Sequence, residues 1–254
     1  KKAEFGVGIA RMEDRYFQTN IIDFSETKHD KSTYSIFGGS IVLEGSTLNA
    51  RQFATQGSRE KMAAQIFTGT EHFRSGASKV TKDTPEPYKK VQSWLQVSYQ
   101  NETYHKVSPK FTLGAYLEAY YSSRNFSNNY TATLMQAGEF TPTAHSKVTY
   151  NEAFRANQYA GVGAMPIYQL SESFQLRGEF YGFVPIFPIK KDEYGQAYYG
   201  KAFTKFEYLG EISLVFQLSF GSISAYVNHY SSPSNDWNVG LTLGWQLFNS
   251  RFVE

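Results

Sequence analysis

From Phe206 onward, apolar and polar residues alternate with a period of two. Phe206, Tyr208, Ile212, Leu214, Phe216 and Phe220 share one parity; Glu207, Glu211, Ser213, Gln217 and Ser219 share the other. Past Gly221, Ile223, Ala225 and Val227 alternate with Ser222, Ser224 and Asn228. A last run sets Trp237, Val239, Leu241, Leu243, Trp245 and Leu247 against Asn238, Thr242 and Gln246. Such a period places each set on one face of a pleated strand. Soluble strands are typically about 5–6 residues, and these runs are roughly twice that. Strands of ~9–11 residues with one apolar face, one polar face and aromatic ends suit a membrane-spanning β-barrel.

The same reading upstream predicts strands at 5–9, 15–24, 34–46, 59–73, 91–104, 111–121, 157–170 and 174–185, with a turn at 12–14. Together with 206–220, 222–228 and 237–247 these make eleven. Helix competes over 59–67, where Glu60, Lys61, Met62, Ala63 and Ala64 are good helix formers. The turn at Gly57 and the run Ile66-Phe67-Thr68 favour a strand. Residues 174–185 set Phe174, Leu176, Phe180 and Val184 against Gln175, Arg177, Glu179 and Tyr181.

Connections alternate in length. Long ones begin near 25, 74, 122 and 189; short ones lie near 12, 47, 107, 171 and 220. Outer-membrane barrels have short periplasmic turns and long outside loops. The longest connection, 122–156, is where function is expected. Eleven strands put the first and last on a common heading and the two chain ends on opposite rims. An even, closed barrel has both on one rim. The expectation is therefore either twelve strands, two of them merged in this reading, or part of a larger barrel.

Aromatics make up 17% of the chain while mean hydropathy is −0.45. A wall with one lipid face and one wet face has this composition. No run approaches the ~20 apolar residues of a membrane helix. The net charge is +2 and no basic run suits nucleic acid, so no nucleic-acid partner is expected. The absence of cysteine fits an oxidising compartment. The start Lys1-Lys2-Ala3, without Met, suggests a processed or trimmed product.

The five histidines (His29, His72, His105, His145 and His229) lack ligand spacing, so no metal or other cofactor is expected. Trp94, Trp237 and Trp245 read as interfacial girdle residues. Glu118, Glu179, Glu207 and Glu211 share the lumen-facing parity with Arg177. They form either a hydrated, charge-balanced interior or a polar route for a passing chain.

Four stretches in order carry a family resemblance: Asn49-Ala50-Arg51-Gln52-Phe53-Ala54-Thr55-Gln56-Gly57-Ser58, Asn129-Tyr130-Thr131-Ala132-Thr133-Leu134, Glu152-Ala153-Phe154-Arg155-Ala156-Asn157-Gln158-Tyr159, and Gly244-Trp245-Gln246-Leu247-Phe248-Asn249. Across essentially its whole length the chain resembles the C-terminal barrel of patatin-like phospholipases of Bacteroidota, within the Omp85 (BamA-like) superfamily. The resemblance implies one domain over 1–254: the C-terminal part of a sixteen-stranded antiparallel outer-membrane β-barrel. The loop 122–156 then falls between strands eleven and twelve and folds into the lumen. Its motif is Phe154-Arg155-Ala156, with Ala where the family has Gly and with Tyr159 three residues later. The family arginine meets an acid on strand thirteen, which here is Glu179, so an Arg155–Glu179 pair is expected.

The resemblance places a lipid acyl hydrolase upstream, as a passenger that this barrel anchors or translocates. Neither Gly-x-Ser-x-Gly nor Asp-Gly occurs in this chain; Gly38-Gly39-Ser40-Ile41-Val42 is the nearest approach. Expected partners are outer-membrane lipid and, by resemblance, a second copy in a homodimer. The competing readings are a stand-alone channel or adhesin barrel, with both termini periplasmic, and a soluble all-β binding protein.

Overall fold

The computed structural model describes residues 1–17, 28–76, 87–232 and 237–245. The chain is all-β. Its main strands are β1 (Lys2–Tyr16), β2 (Asp30–Ser46), β3 (Gly57–Arg74), β4 (Tyr88–Lys106) and β5 (Phe111–Ser122). A long connection follows, with a helix α1 (Tyr130–Gln136) and two short strands, β6 (Gly138–Glu139) and β7 (Arg155–Ala156). Then come β8 (Gln158–Gln169), β9 (Phe174–Pro185), a small hairpin of β10 (Ile189–Lys191) and β11 (Ala197–Tyr199), β12 (Glu207–Leu218), β13 (Gly221–Tyr230) and β14 (Trp237–Trp245).

Ten strands form one antiparallel meander in the order β1-β2-β3-β4-β5-β8-β9-β12-β13-β14. Among the described residues β1 and β14 are its edges, so these ten strands do not close on themselves. Residues 59–67, where helix competed, lie inside β3, and its ladder to β2 runs unbroken from Arg59 to Arg74.

The expected turn at 12–14 is absent, which corrects the count from eleven to ten. Met12, Glu13 and Asp14 pair in register with Tyr34, Thr33 and Ser32. Alternation continues through the charges: Glu13 and Arg15 face outward, while Tyr16 is buried inward. Charged residues near a strand end were read as a break where they mark the passage out of the apolar band. Of the strand expected at 15–24, Arg15 and Tyr16 belong to β1, Phe17 follows it, and the rest lies outside the described residues. With ten strands the parity conflict disappears: β1 starts and β14 ends at the rim of the short connections.

The two faces are inverted relative to a water-soluble sheet. Outward-facing Ile9 is 86% exposed, Val239 79% and Leu241 81%. Inward-facing Arg177 and Glu211 are each 2% exposed. On β9, inward Gln175, Arg177, Glu179, Tyr181 and Phe183 are buried, and outward Leu176 and Phe180 are exposed. The outward apolar row on β12 runs from Tyr208 to Phe216, roughly 27 Å at about 3.4 Å per residue.

The interior is filled from both rims. From the long-connection rim, residues 123–157 fold inward and touch the edge strand β1 on one side and β12 and β13 on the other. Asn129 Nδ2 donates to Tyr16 Oη of β1 at 3.0 Å, and His145 reaches Glu211 of β12 at 2.6 Å. From the other rim, the turn 47–56 tucks in, which accounts for its length among the short connections. Asn49 Oδ1 accepts from the Thr55 and Gln56 amides, and Gly57 closes the turn at φ +92°, where a Cβ would strike the Thr47 carbonyl.

Candidate functional site

The inward loop begins with a capped helix. Asn129 Oδ1 accepts from the Ala132 amide at 2.8 Å, and the helix buries Thr131, Ala132, Thr133 and Leu134. The loop then doubles back so that β6 pairs with β7, Glu139 opposite Arg155. This internal order was missed in the sequence, where seven helical residues are too few for periodicity to register. The Asn129 cap was the available sign.

Phe154 and Ala156 are buried in the main aromatic core beside Phe140, Tyr181, Phe183 and Leu209. Phe140 stacks on Phe183 at 5.5 Å between centroids, and Gly161 of β8 is required there because a Cβ would run into the Phe140 ring. Tyr159 ties wall to loop: its hydroxyl donates to Glu118 Oε1 at 2.6 Å and lies 3.1 Å from the Glu139 carbonyl. Glu118 also takes a short bond from Tyr116.

The expected Arg155–Glu179 pair does not form. Arg155 binds within its own loop, with Nη2 2.7 Å from Glu139 Oε2 and Nη1 3.3 Å from the Leu134 and Met135 carbonyls. Its guanidinium lies 4.5 Å from the Tyr150 ring centroid. These carbonyls end α1 and carry its negative dipole end, so a local arginine satisfies them. Glu179 takes its cation from two positions along its own strand: Arg177 Nε donates to Glu179 Oε1 at 3.0 Å. Arg177 also donates to the Ala54 carbonyl at 2.8 Å and, through Nη2, to Tyr104 Oη at 3.3 Å. It therefore fastens the 47–56 turn to the wall.

Glu211 stands directly opposite Glu179 across the β9–β12 ladder. Each carboxylate has its own partner, which relieves the repulsion between them. Glu211 is served by His145 Nδ1 at 2.6 Å and Asn228 Nδ2 at 3.3 Å. Ser224 Oγ lies 3.2 Å from His145 Nε2. Glu207 sits nearer the long-connection rim, with Lys205 Nζ at 3.4 Å and a short bond from Ser231 Oγ.

Ser224, His145 and Glu211 follow one another as in a hydrolytic triad, which geometry alone can identify. Their surroundings oppose catalysis. The three are 1%, 3% and 2% exposed, and the Tyr226 ring lies flat on the imidazole. An acyl substrate has no approach to Ser224 Oγ. The arrangement works as a latch, in which the histidine donates from Nδ1 to the carboxylate and joins the loop to β12 and β13. No spacing pattern could disclose it, since the partners are 66 and 79 residues apart.

Trp94 corrects the girdle expectation. It is buried on the inward face, stacked on Phe67 at 5.2 Å, with the Arg124 guanidinium 4.6 Å from its ring. Burial pulls the Arg124 pKa below the ordinary guanidinium value. Trp237 is outward and 70% exposed beside His229. The side chain of Trp245 lies outside the described residues. Among the described residues no three His, Asp or Glu side chains gather as a metal site requires.

No protein-family model matches the chain, and no match was found among the curated proteins or the solved structures.

Proposed function

We propose that this chain is the membrane-embedded wall of a plugged bacterial outer-membrane β-barrel. One observation carries the reading: the sheet hides its charges and exposes its apolar side chains. Arg177, Glu179 and Glu211 are sealed inside, while outward-facing Phe5, Val7 and Ile9 stand 78–86% exposed. In water so large an apolar surface is an aggregation hazard; in lipid it is solvated. Aromatic residues near both ends of the outward rows support the same reading. Tyr121, Tyr208 and Trp237 lie toward one rim, Tyr168 and Phe174 toward the other.

The edges of β1 and β14, unpaired among the described residues, support membership of a larger barrel, because an unpaired strand edge in lipid leaves backbone groups unsatisfied. Counting back from β14 as the sixteenth strand makes β5 and β8 the eleventh and twelfth. The inward loop then falls where the family resemblance places it, and six further strands complete the wall. In this reading the barrel anchors, and its lumen translocates or formerly translocated, a patatin-like lipid acyl hydrolase encoded upstream. The latched loop favours an anchor over a free channel.

Fractionation tests the membrane reading. The protein is expected in the outer membrane, soluble only with detergent and heat-modifiable on gels. A detergent-free soluble monomer overturns it. Intact mass from the source membrane tests the anchoring reading. A mass tens of kilodaltons above 28.9 kDa is expected, and a mass near 28.9 kDa replaces it with the stand-alone barrel.

A further inference from the structure

We propose that the outward face of β1–β4, at the rim of the long connections, binds a lipid headgroup carrying more than one phosphate. This rests on the membrane reading above. Arg15, Lys31 and Arg74 lie opposite one another across β1, β2 and β3. The adjacent outward row holds Glu13, Thr33, His72 and Lys89, and the next holds Arg11 and Ser35. Arg11, Lys31, Thr33, His72, Arg74 and Lys89 line a groove of about 690 Å³.

Among the described residues, charge is unbalanced in this groove. Among the described residues of the patch Glu13 is the only carboxylate, and it is engaged by Arg15 at 2.7 Å and Lys31 at 2.6 Å. Arg11, Arg74 and Lys89 have no carboxylate within 4.0 Å among the described residues. At the opposite end of the same strands, on the same outward face, Lys1 pairs with Glu60. Clustered like charges repel unless an anion joins them.

Depth argues for lipid over a free ion. On β1 and β2 the next outward rows are Ile9 opposite Phe37, Val7 opposite Gly39 and Phe5 opposite Ile41; on β3 and β4 the first of these rows holds Thr68 and Ser93, and the next holds Ile66 and Leu95. The cations therefore sit where the acyl region ends and headgroups begin. Neighbouring strands are ~4.8 Å apart, so cations on β1 through β4 spread over roughly 15 Å, wider than one phosphate. Arginine forks bind phosphate oxygens in pairs, and the Thr33 and Ser35 hydroxyls lie between them as further donors.

The test uses the full protein in phosphatidylcholine nanodiscs containing bisphosphorylated lipid A, monophosphorylated lipid A or no added lipid. Bound lipid is read by native mass spectrometry. The wild type is expected to retain the bisphosphorylated lipid preferentially, without displacement by millimolar inorganic phosphate. Arg11→Gln, Arg74→Gln and Lys89→Gln together should weaken retention by about fivefold per cation, on the order of a hundredfold, while still entering nanodiscs. Arg11→Lys with Arg74→Lys should retain most of it. Equal retention by the triple variant overturns the site and leaves the membrane reading intact. Displacement by inorganic phosphate makes it a free-anion site and overturns the lipid assignment. Failure of the wild type to enter nanodiscs overturns the membrane reading itself.

Discussion

His145 Nδ1 and Glu211 Oε1 meet at 2.6 Å, one from the inward loop and one from the wall strand β12, both almost completely buried. Breaking a buried pair from one side leaves an uncompensated charge and costs about 3–5 kcal/mol. His145→Ala should therefore loosen residues 123–157, seen as faster hydrogen exchange and new protease cuts there. The double variant His145→Ala/Glu211→Ala should recover part of the loss. A single variant as protected as the wild type would show that the latch does not hold the loop.

The local partnership of Arg155 gives a second prediction. Arg155→Glu should lower the stability of the loop by about 1–3 kcal/mol, the range for charged hydrogen bonds lost in a partly buried site. Adding Glu139→Arg should restore thermal stability, because Glu139 is the observed partner. Adding Glu179→Arg should not, and rescue by that change would reinstate the pairing expected from the family resemblance.

Arg177 fastens the other intrusion. Arg177→Met removes the cation beside Glu179 and the donor to the Ala54 carbonyl at once. A destabilisation of about 3–5 kcal/mol is expected in detergent unfolding, with part recovered by Glu179→Leu. A neutral effect of Arg177→Met alone would mean water replaces both contacts.

Sequence and structure agree where alternation is strong and part where contacts are distant. The strands β4, β5, β9 and β12 are legible because their parities separate cleanly, as Leu176 and Phe180 separate from Arg177 and Glu179, whereas β3 alternates weakly and was legible from the Gly57 turn and the Ile66-Phe67-Thr68 run. The inward set of Glu118, Glu179, Glu207, Glu211 and Arg177 follows from the same parity. Trp94 was legible too: it shares parity with Gln92 and Gln96 on the inward face of β4, but the interfacial habit of tryptophan outweighed that parity. Met12–Asp14 misled because charge beyond the apolar row of a strand and charge in a turn look alike in sequence. The partners of Arg155 and His145 were illegible, since both depend on how the loop doubles back.

The outward face supplies its own test by charge. Ile212→Lys or Leu241→Lys near the middle of the apolar band should cost about 2–4 kcal/mol of folding in lipid, and Trp237→Lys at the rim about 0–1. Equal tolerance at all three positions would be the behaviour of a water-facing surface.

The most direct measurement exploits the absence of cysteine from this chain. Single cysteines at Ile9, Ile212 and Leu241, outward, and at Ser40 and Ser213, inward, can carry an environment-sensitive fluorophore in reconstituted full-length protein. Brominated lipid should quench the three outward probes strongly and leave the two inward ones nearly unchanged. Equal quenching on both faces, or none on the outward face, would contradict a sheet that turns its apolar side to lipid.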